Sequence, residues 1–223
     1  PSGLDSTVTY DGLGRLTSVT PPAVAGCSAD VAPHLRYELT TDPGRQPLSR
    51  VVRTTELGCD GVGTGDALVS IAYVDGLGRA RATLSTNDPG SGPAWVRGGL
   101  TTLDAKGTVR RTYQADLYAG SDTDYASVLA LPAAIPYAVV RYDAFGRTRG
   151  VIAEDGSVTW TSYHSMSTDV CDPLDNDPSS PYYRTCTTSA VDGFGRTTTQ
   201  VLRNVDPDTG ATETHHLWSY YRC

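Results

Sequence analysis

The sequence predicts an all-β fold made of antiparallel hairpins, and three observations support this prediction. First, residues that favour helices are scarce, with one Met and one Lys among 223 residues, whereas Thr, Val and Tyr are abundant. Second, a short glycine-containing motif recurs along the chain. Third, β-prone segments flank most copies of this motif, and a strand, a short turn with Gly and a second strand are typical of a β-hairpin.

The repeated motif is a turn sequence that occurs in four nearly identical copies. They are Tyr10-Asp11-Gly12-Leu13-Gly14-Arg15, Asp75-Gly76-Leu77-Gly78-Arg79 with Tyr73 before it, Tyr142-Asp143-Ala144-Phe145-Gly146-Arg147, and Asp192-Gly193-Phe194-Gly195-Arg196. Weaker copies follow Asp42 and Asp104. Turns are therefore expected near residues 10–15, 42–45, 75–79, 104–107, 142–147 and 192–196, which indicates an array of internal repeats.

Each residue type of the motif has an expected structural role. The Asp is expected to accept hydrogen bonds from the turn backbone, and the final Gly to adopt a positive φ at little cost. The closing Arg is expected to pair with the Asp and so fix the turn. The central Leu or Phe is unusual for a turn, and its recurrence predicts that the tip folds back and buries this side chain against a neighbouring hairpin.

The motif resembles the YD repeat of Rhs proteins, teneurins and the B and C components of insecticidal Tc toxin complexes. The order of segments such as Ser18–Pro22, Pro33–Tyr37 and Ile71–Arg79 is similar to that of the Tc toxin B component. The resemblance implies a curved β-strip that spirals into a hollow shell around a toxic C-terminal polypeptide. Residues 1–223 are then one YD-repeat region, a section of a secreted or extracellular shell. Its partners are the remainder of that shell and the enclosed toxin polypeptide.

The cysteines allow two disulfides. Cys27 with Cys59, and Cys171 with Cys186, are each placed to close a loop, which favours an oxidising compartment. Cys223 is then left over, and five unpaired thiols are the alternative. No CxxC pair is present, which argues against a structural zinc site.

Net charge argues against nucleic acid as a partner, and hydropathy argues against a membrane-spanning segment. A formal net charge of −7 argues against nucleic acid, because phosphate binding needs a basic surface. No uncharged run reaches the roughly 20 residues that a transmembrane helix needs, so no membrane-spanning segment is predicted.

The polar residues do not predict catalysis. The chain has four histidines: His34, His164, His215 and His216. None lies in a recognisable catalytic motif, and no Gly-x-Ser-x-Gly sequence is present. Four equivalent motif aspartates are better explained as turn caps than as a glycosidase pair, which needs two carboxyl groups in contrasting environments. We therefore predict that the chain is not an enzyme and has no catalytic, cofactor-binding or metal-ligating residues.

Two weaker alternatives concern ligands. Asp172, Asp175 and Asp177, and separately Asp206 and Asp208, are spaced like calcium ligands, but neither group matches an EF-hand loop. Solvated loops are the preferred interpretation. Several aromatic residues are candidates for sugar stacking: Trp95, Trp160, Trp218, Tyr182, Tyr183, Tyr220 and Tyr221. Packing between strand faces is preferred for them, and an extracellular adhesion or carbohydrate-binding module is the alternative function.

Overall fold

The computed structural model describes residues 5–20, 22, 33–40, 42, 44, 46–56, 67–88, 90, 92–206 and 208–221. Within these ranges the protein is nearly all β, as predicted, with seventeen strands and two one-turn helices. The earlier strands are β1 (Thr7–Tyr10), β2 (Leu16–Thr20), β3 (His34–Glu38), β4 (Ser49–Glu56), β5 (Ala67–Val74), β6 (Ala80–Thr86), β7 (Trp95–Gly98), β8 (Thr101–Leu103), β9 (Val109–Tyr113) and β10 (Asp116–Tyr118). The later elements are α1 (Tyr125–Val128), β11 (Tyr137–Tyr142), β12 (Thr148–Ile152), β13 (Val158–Tyr163), β14 (Ser167–Cys171), α2 (Pro173–Asn176), β15 (Thr187–Val191), β16 (Thr197–Val205) and β17 (Thr212–Trp218).

The strands form two sheets of antiparallel hairpins. The first sheet has the order β1-β2-β3-β4-β5-β6-β7-β10, and the second has the order β17-β16-β15-β14-β13-β12-β11-β9-β8. Most neighbours are also consecutive in sequence, so the chain meanders up and down through each sheet. The chain divides into two compact units, residues 1–102 with 112–135 and residues 103–111 with 136–223.

The core of the first unit follows from the two-residue period of its strands. Successive side chains of a strand point to opposite faces, so alternate residues are buried together. Ile71 and Tyr73 of β5 are buried on one face, opposite Leu84 and Ala82 of β6. Val128 of α1 belongs to the same buried cluster.

Two buried arginines attach the segment around α1 to the first sheet. Arg50 of β4 pairs with Glu38 of β3, and its Nη1 donates to Asp122 Oδ2 at 2.6 Å. Arg97 of β7 pairs with Asp116 of β10 at 2.7 Å and donates to three backbone carbonyl oxygens at the end of α1. The Tyr73 hydroxyl donates to Asp122 O at 2.7 Å, and burial raises the pKa of this hydroxyl.

In the second unit, a tryptophan ring packs over a glycine of the neighbouring strand. Gly150 of β12 lies directly opposite Trp160 of β13. A Cβ atom at Gly150 would lie 2.5 Å from the Trp160 ring, closer than real contacts allow. The indole therefore occupies the space that a side chain at Gly150 would fill.

Neither helix of the described residues is long and apolar enough to cross a membrane.

Candidate functional site: the repeat turns

The first repeat turn is a type I turn closed by a glycine in the left-handed region. The Gly14 N–H donates to Asp11 O at 3.0 Å, and the Asp11 N–H donates to Arg15 O at 2.9 Å. Gly14 has φ 75°, and the pairing of β1 with β2 shifts register beside the turn. This is the three-residue hairpin loop with a glycine bulge.

The Asp11 carboxylate organises this turn through three hydrogen bonds. Its Oδ1 accepts from the N–H groups of Leu13 and Arg15, both at 2.9 Å, and its Oδ2 accepts from Arg15 Nε at 2.7 Å. Asp75 with Arg79, Asp143 with Arg147, and Asp192 with Arg196 repeat all three bonds. The roles predicted for Asp and Arg agree with this geometry in all four copies.

The glycines of the motif differ in role. The last glycine of each copy has a positive φ: 75° at Gly14, 76° at Gly78, 83° at Gly146 and 78° at Gly195. Gly12, Gly76 and Gly193 stand earlier in the turn and do not have a positive φ. Only the last glycine therefore needs the conformational freedom that its residue type provides.

Two related turns reach the same geometry with other residues. In the turn at Asp104, the closing residue is Thr108, whose Oγ1 donates to Asp104 Oδ2 at 2.6 Å in place of an Arg. The turn from Ala153 to Ser157 has the same backbone bonds, and Asp155 accepts from the Ser157 N–H at 2.8 Å. In the copy at 42–45, Asp42 Oδ1 accepts from the Gly44 N–H at 3.1 Å, while Arg45 lies outside the described residues.

The hydrogen bonds of the turns lower the pKa of the motif aspartates. For Asp11 and Asp192, the main cause is the backbone N–H of Arg15 and Arg196, respectively. For Asp75 and Asp143, partial burial is the largest single influence and acts to raise the pKa. Hydrogen bonds from the following arginine outweigh it, so these two pKa values are also lowered.

Acid is expected to destabilise the repeat turns. A carboxyl group with a lower pKa in the folded state stabilises the fold fully above its unfolded pKa of about 3.9, and this stabilisation is lost as the pH falls through the folded pKa. The melting temperature should therefore be constant down to about pH 5 and fall below about pH 4. Asp143→Asn should weaken this dependence, because one of the titrating carboxyl groups is removed. Thermal unfolding of both proteins at pH 7 and pH 3 measures the effect, and equal losses on acidification would contradict it.

Two glycines of one turn provide a matched pair of substitutions. Gly78→Ala is expected to destabilise the first unit by about 1–2 kcal/mol, because an L-residue is strained in the left-handed region. No atom lies within 4 Å of the new Cβ at either position, so neither substitution causes crowding. Gly76 does not have a positive φ, and Gly76→Ala should therefore change the free energy of unfolding by less than about 0.5 kcal/mol. Urea unfolding of the two variants compares them directly. Similar losses would show that the positive φ at Gly78 is not the cause.

The central apolar residue of the motif is exposed, so the predicted burial of this side chain is wrong within this chain. Leu13 and Leu77 are 76% and 78% exposed, and Phe145 and Phe194 are both 87% exposed. The turn is tight and projects its third residue away from the strands, so the tip does not fold back. The Arg147 and Arg196 guanidinium groups lie 5.4 and 5.1 Å from the Phe145 and Phe194 rings.

The repeat turns lie at one end of the strands in each sheet. Strands β1 to β6 run alternately up and down as antiparallel neighbours, so the turns at Asp11 and Asp75 emerge at the same end. The same argument places the turns at Asp143 and Asp192 together in the second sheet. The exposed Leu and Phe tips therefore share one end of each sheet.

The arginines of three turns also stack on a tyrosine that lies in the next strand along or just after it. The Arg15, Arg147 and Arg196 guanidinium carbons lie 4.4, 4.1 and 4.6 Å from the ring centroids of Tyr37, Tyr163 and Tyr221. The hydroxyl groups of Tyr163 and Tyr221 donate to the carbonyl oxygens of Thr148 and Thr197, directly after the motif arginines. Sequence reasoning did not predict this stacking, because the separation of these tyrosines from the motif varies with the loop between the strands.

The tyrosines before the turns do not share one environment. Tyr10 is exposed, whereas Tyr73 is fully buried in the first unit. The Tyr142 hydroxyl donates to Val109 O at 2.9 Å. Within this chain, the four copies therefore share the geometry of the turn, whereas the contacts of the tyrosine before the turn differ.

One of the two predicted disulfides falls within the described residues. Cys171 and Cys186 are joined by a disulfide with a Cα–Cα distance of 4.3 Å, which closes the loop that contains α2. Cys27, Cys59 and Cys223 lie outside the described residues.

The aspartates of this loop act as structural groups. Asp172 caps α2 by accepting from the N–H groups of Leu174 and Asp175, and Asp175 Oδ2 accepts from the Asp172 N–H. Asp175 is buried and also accepts from Thr185 Oγ1 at 2.6 Å. Over the part of the chain that the structure describes, no group of three or more His, Cys, Asp or Glu residues is placed to hold a metal ion.

The histidines and aromatic candidates are dispersed. His164 Nε2 lies 2.9 Å from Asp169 Oδ2, and His215 Nε2 lies 3.5 Å from Glu213 Oε2. Trp95 packs against the first core and Trp160 is half-buried, which agrees with the packing role predicted for them. Trp218 and Tyr220 are exposed, which does not agree with the predicted packing role.

The turns, sheets and pairings define a β-hairpin repeat protein. Its fold is similar to part of solved Tc toxin complexes. A TcdB2-TccC3 crystal structure matches 97% of this chain with a TM-score of 0.72 and 20% identity, over 13% of that chain. A TcdB2-TccC3-Cdc42 structure matches 97% of this chain with a TM-score of 0.70 and 16% identity, over 15% of that chain. A Photorhabdus luminescens Tc holotoxin pore matches 78% of this chain with a TM-score of 0.61 and 20% identity, over 9% of that chain.

These structures confirm the predicted resemblance to YD-repeat proteins of the Tc toxin type at the level of the fold. This chain spans less than a sixth of the first two structures that it matches. No family model and no curated protein sequence matches it.

Proposed function

We propose that this chain is a scaffold section of a YD-repeat shell in a secreted Tc/Rhs-type toxin, and that the shell encloses a toxic polypeptide. The observation that carries the proposal is the match of 97% of the chain to part of a TcdB2-TccC3 structure with a TM-score of 0.72. In this role the chain performs no catalytic step. Its work is mechanical, and its partners are the adjoining parts of the shell and the enclosed polypeptide.

The outer strands of the two sheets support this role. All four residues of β1 and all seven residues of β17 are exposed, and among the described residues each strand has a neighbour on one side only within its sheet. An unpaired strand edge presents backbone N–H and C=O groups that favour the addition of further strands. A strip of hairpins that continues on either side would pair these groups, as repeat arrays do when each unit is completed by its neighbours.

Imaging of the native protein that carries this chain tests the proposal. Cryo-electron microscopy is expected to show the two sheets in the wall of a hollow shell, with density for a polypeptide inside. Limited trypsin digestion should leave the enclosed polypeptide intact until the shell is opened with denaturant. A particle without an internal cavity, or an interior polypeptide that is cleaved at once, would overturn the proposal. Saturable binding to a glycan array by a particle without a cavity would instead support an adhesion module, for which exposed Trp218 and Tyr220 are the candidate contacts.

A further inference from the structure

The two faces of the first sheet differ in how far they are covered. Val52, Ile71 and Tyr73 are buried on one face, beneath the segment around α1. Successive side chains of a strand point to opposite faces, so the residues between them belong to the other face. Exposed side chains of this second face include Arg53 and Ser70. This second face is named the open face.

A row of residues crosses the open face, each directly opposite the next in the strand register. In the order of strands β3, β4, β5, β6, β7 and β10, its members are Leu35, Arg53, Ser70, Ser85, Val96 and Leu117. Neighbouring strands are about 4.8 Å apart, so the row is about 24 Å long. Its middle is therefore polar, and both of its ends are apolar.

Among the described residues, the polar groups in the middle of the row have no partner. None of these residues forms an ion pair or hydrogen bond with the Arg53 guanidinium or with the hydroxyl groups of Ser70 and Ser85. The acidic side chains Glu38 and Asp116 lie on the covered face, where they pair with buried arginines. By strand alternation, none of the described side chains of these six strands that lie on the open face is acidic.

A groove of about 420 Å³ lies over the middle of the row. Arg53, Ser70 and Ser85 line it together with Thr55 and Leu68, which are paired with each other. Thr55 is two residues from Arg53, and Leu68 is two residues from Ser70, so all five side chains share the open face. Leu68 is 50% exposed. The groove thus combines one cation without a partner, hydroxyl donors and an accessible apolar side chain.

These groups are complementary to a carboxylate with apolar neighbours. Arg binds a carboxylate through two parallel N–H donors, and a serine hydroxyl can donate a further hydrogen bond. An inorganic anion would use Arg53 and the hydroxyl groups alone. An extended polypeptide can also use the apolar ends of the row, because every second side chain faces the sheet at intervals of about 7 Å.

We propose that the open face binds an extended polypeptide segment in which one Asp or Glu stands between apolar residues. The carboxylate pairs with Arg53 and Ser70. Strand spacings of about 4.8 Å and a peptide repeat of about 7 Å place an apolar residue two positions before it over Leu35, and one four positions after it over Val96 and Leu117. This binding role goes beyond the scaffold role and does not depend on it, since the row belongs to the first unit alone.

A nuclear magnetic resonance titration of the isotope-labelled chain tests the proposal. The probe is the peptide Leu-Ser-Glu-Ser-Ser-Ser-Leu, blocked at both ends so that the Glu carries its only charge. Saturable shifts are expected at the backbone amides of Ser70 and Ser85. Arg53→Gln should weaken binding about fivefold, the loss typical of one exposed ion pair.

Arg36→Gln is the matched control. Arg36 is exposed and lies on the opposite face of the same sheet, in register with buried Val52, and its substitution changes the net charge equally. This variant should bind the peptide within about twofold of the unsubstituted chain, because attraction between exposed charges at long range is screened by salt.

No saturable binding of the peptide by the unsubstituted chain would overturn the proposal. Equal weakening in Arg53→Gln and Arg36→Gln would do the same, because it indicates attraction without a defined site. Equal binding of a peptide with Gln in place of Glu would show that the carboxylate is not recognised, and equal binding of one with Ser in place of both Leu would show that the apolar ends are not used. If the spectrum of Arg53→Gln is not that of a folded chain, Arg53→Met removes the same charge and should show the same loss.

Discussion

Arg97→Ala is expected to destabilise the first unit by about 3–5 kcal/mol, the cost typical of removing one partner from a buried ion pair. Arg97 is 5% exposed, and its guanidinium makes two hydrogen bonds to Asp116, at 2.9 and 2.7 Å. Its Nη1 also donates to the carbonyl oxygens of Ser127, Val128 and Ala130. The substitution removes the guanidinium donor from a carboxylate and from three carbonyl groups in a water-poor site, although Ser127 O still accepts from the Ala130 N–H.

Urea unfolding measured by circular dichroism checks this expectation. The control is Arg36→Ala, because Arg36 is an exposed residue that pairs with Glu38 on the sheet surface. Exposed ion pairs contribute about 0–1 kcal/mol, so Arg36→Ala should have a small effect. If Arg97→Ala does not fold, Arg97→Lys keeps the charge but loses the two-pronged contact and should show an intermediate loss. Equal stabilities of the Arg97 and Arg36 variants would contradict the expected role of Arg97.

Loss of the disulfide is expected to have the second large effect. Cys171 and Cys186 are separated by 15 residues, and a cross-link that closes a loop of this length stabilises a protein by about 3 kcal/mol through the unfolded state. The double variant Cys171→Ser/Cys186→Ser should therefore unfold at a lower urea concentration. The loop also contains the capped helix α2 and the buried Asp175, which depend on the closed conformation.

The reductant dithiothreitol separates this effect from that of the serine side chains. The unsubstituted chain should lose a similar amount of stability in dithiothreitol, whereas the double variant should lose little more. A double variant that is as stable as the oxidised chain would show that packing alone holds the loop. A double variant that is destabilised further by the reductant would point to a contribution from the other cysteines.

The repeat turns could be predicted from the sequence because their interactions are local. The Asp11 carboxylate reaches backbone groups two and four residues later, and Arg15 returns to the same carboxylate. The positive φ of Gly14 follows from the same short segment. No other part of the chain is needed to form these contacts, so four similar sequences give four similar turns.

The environment of each turn could not be predicted in the same way. Burial of Leu13 or Phe194 depends on whether another segment covers the tip, and within this chain none of the described residues does. The tyrosines that stack on the motif arginines lie in the following strand or just after it, beyond loops of different lengths. Arg97 resembles the other arginines in the sequence, but it is buried because β10 and the end of α1 meet around it.

The sequence by itself therefore determined the β-hairpin class, the positions of the turns, and the roles of Asp, Arg and the last Gly within them. These features depend on contacts between residues at most four positions apart. The tertiary structure decided which arginines are buried and which end of each sheet presents the apolar tips. Those features depend on residues that are distant in sequence, whose approach is set by strand register and by the packing of whole elements.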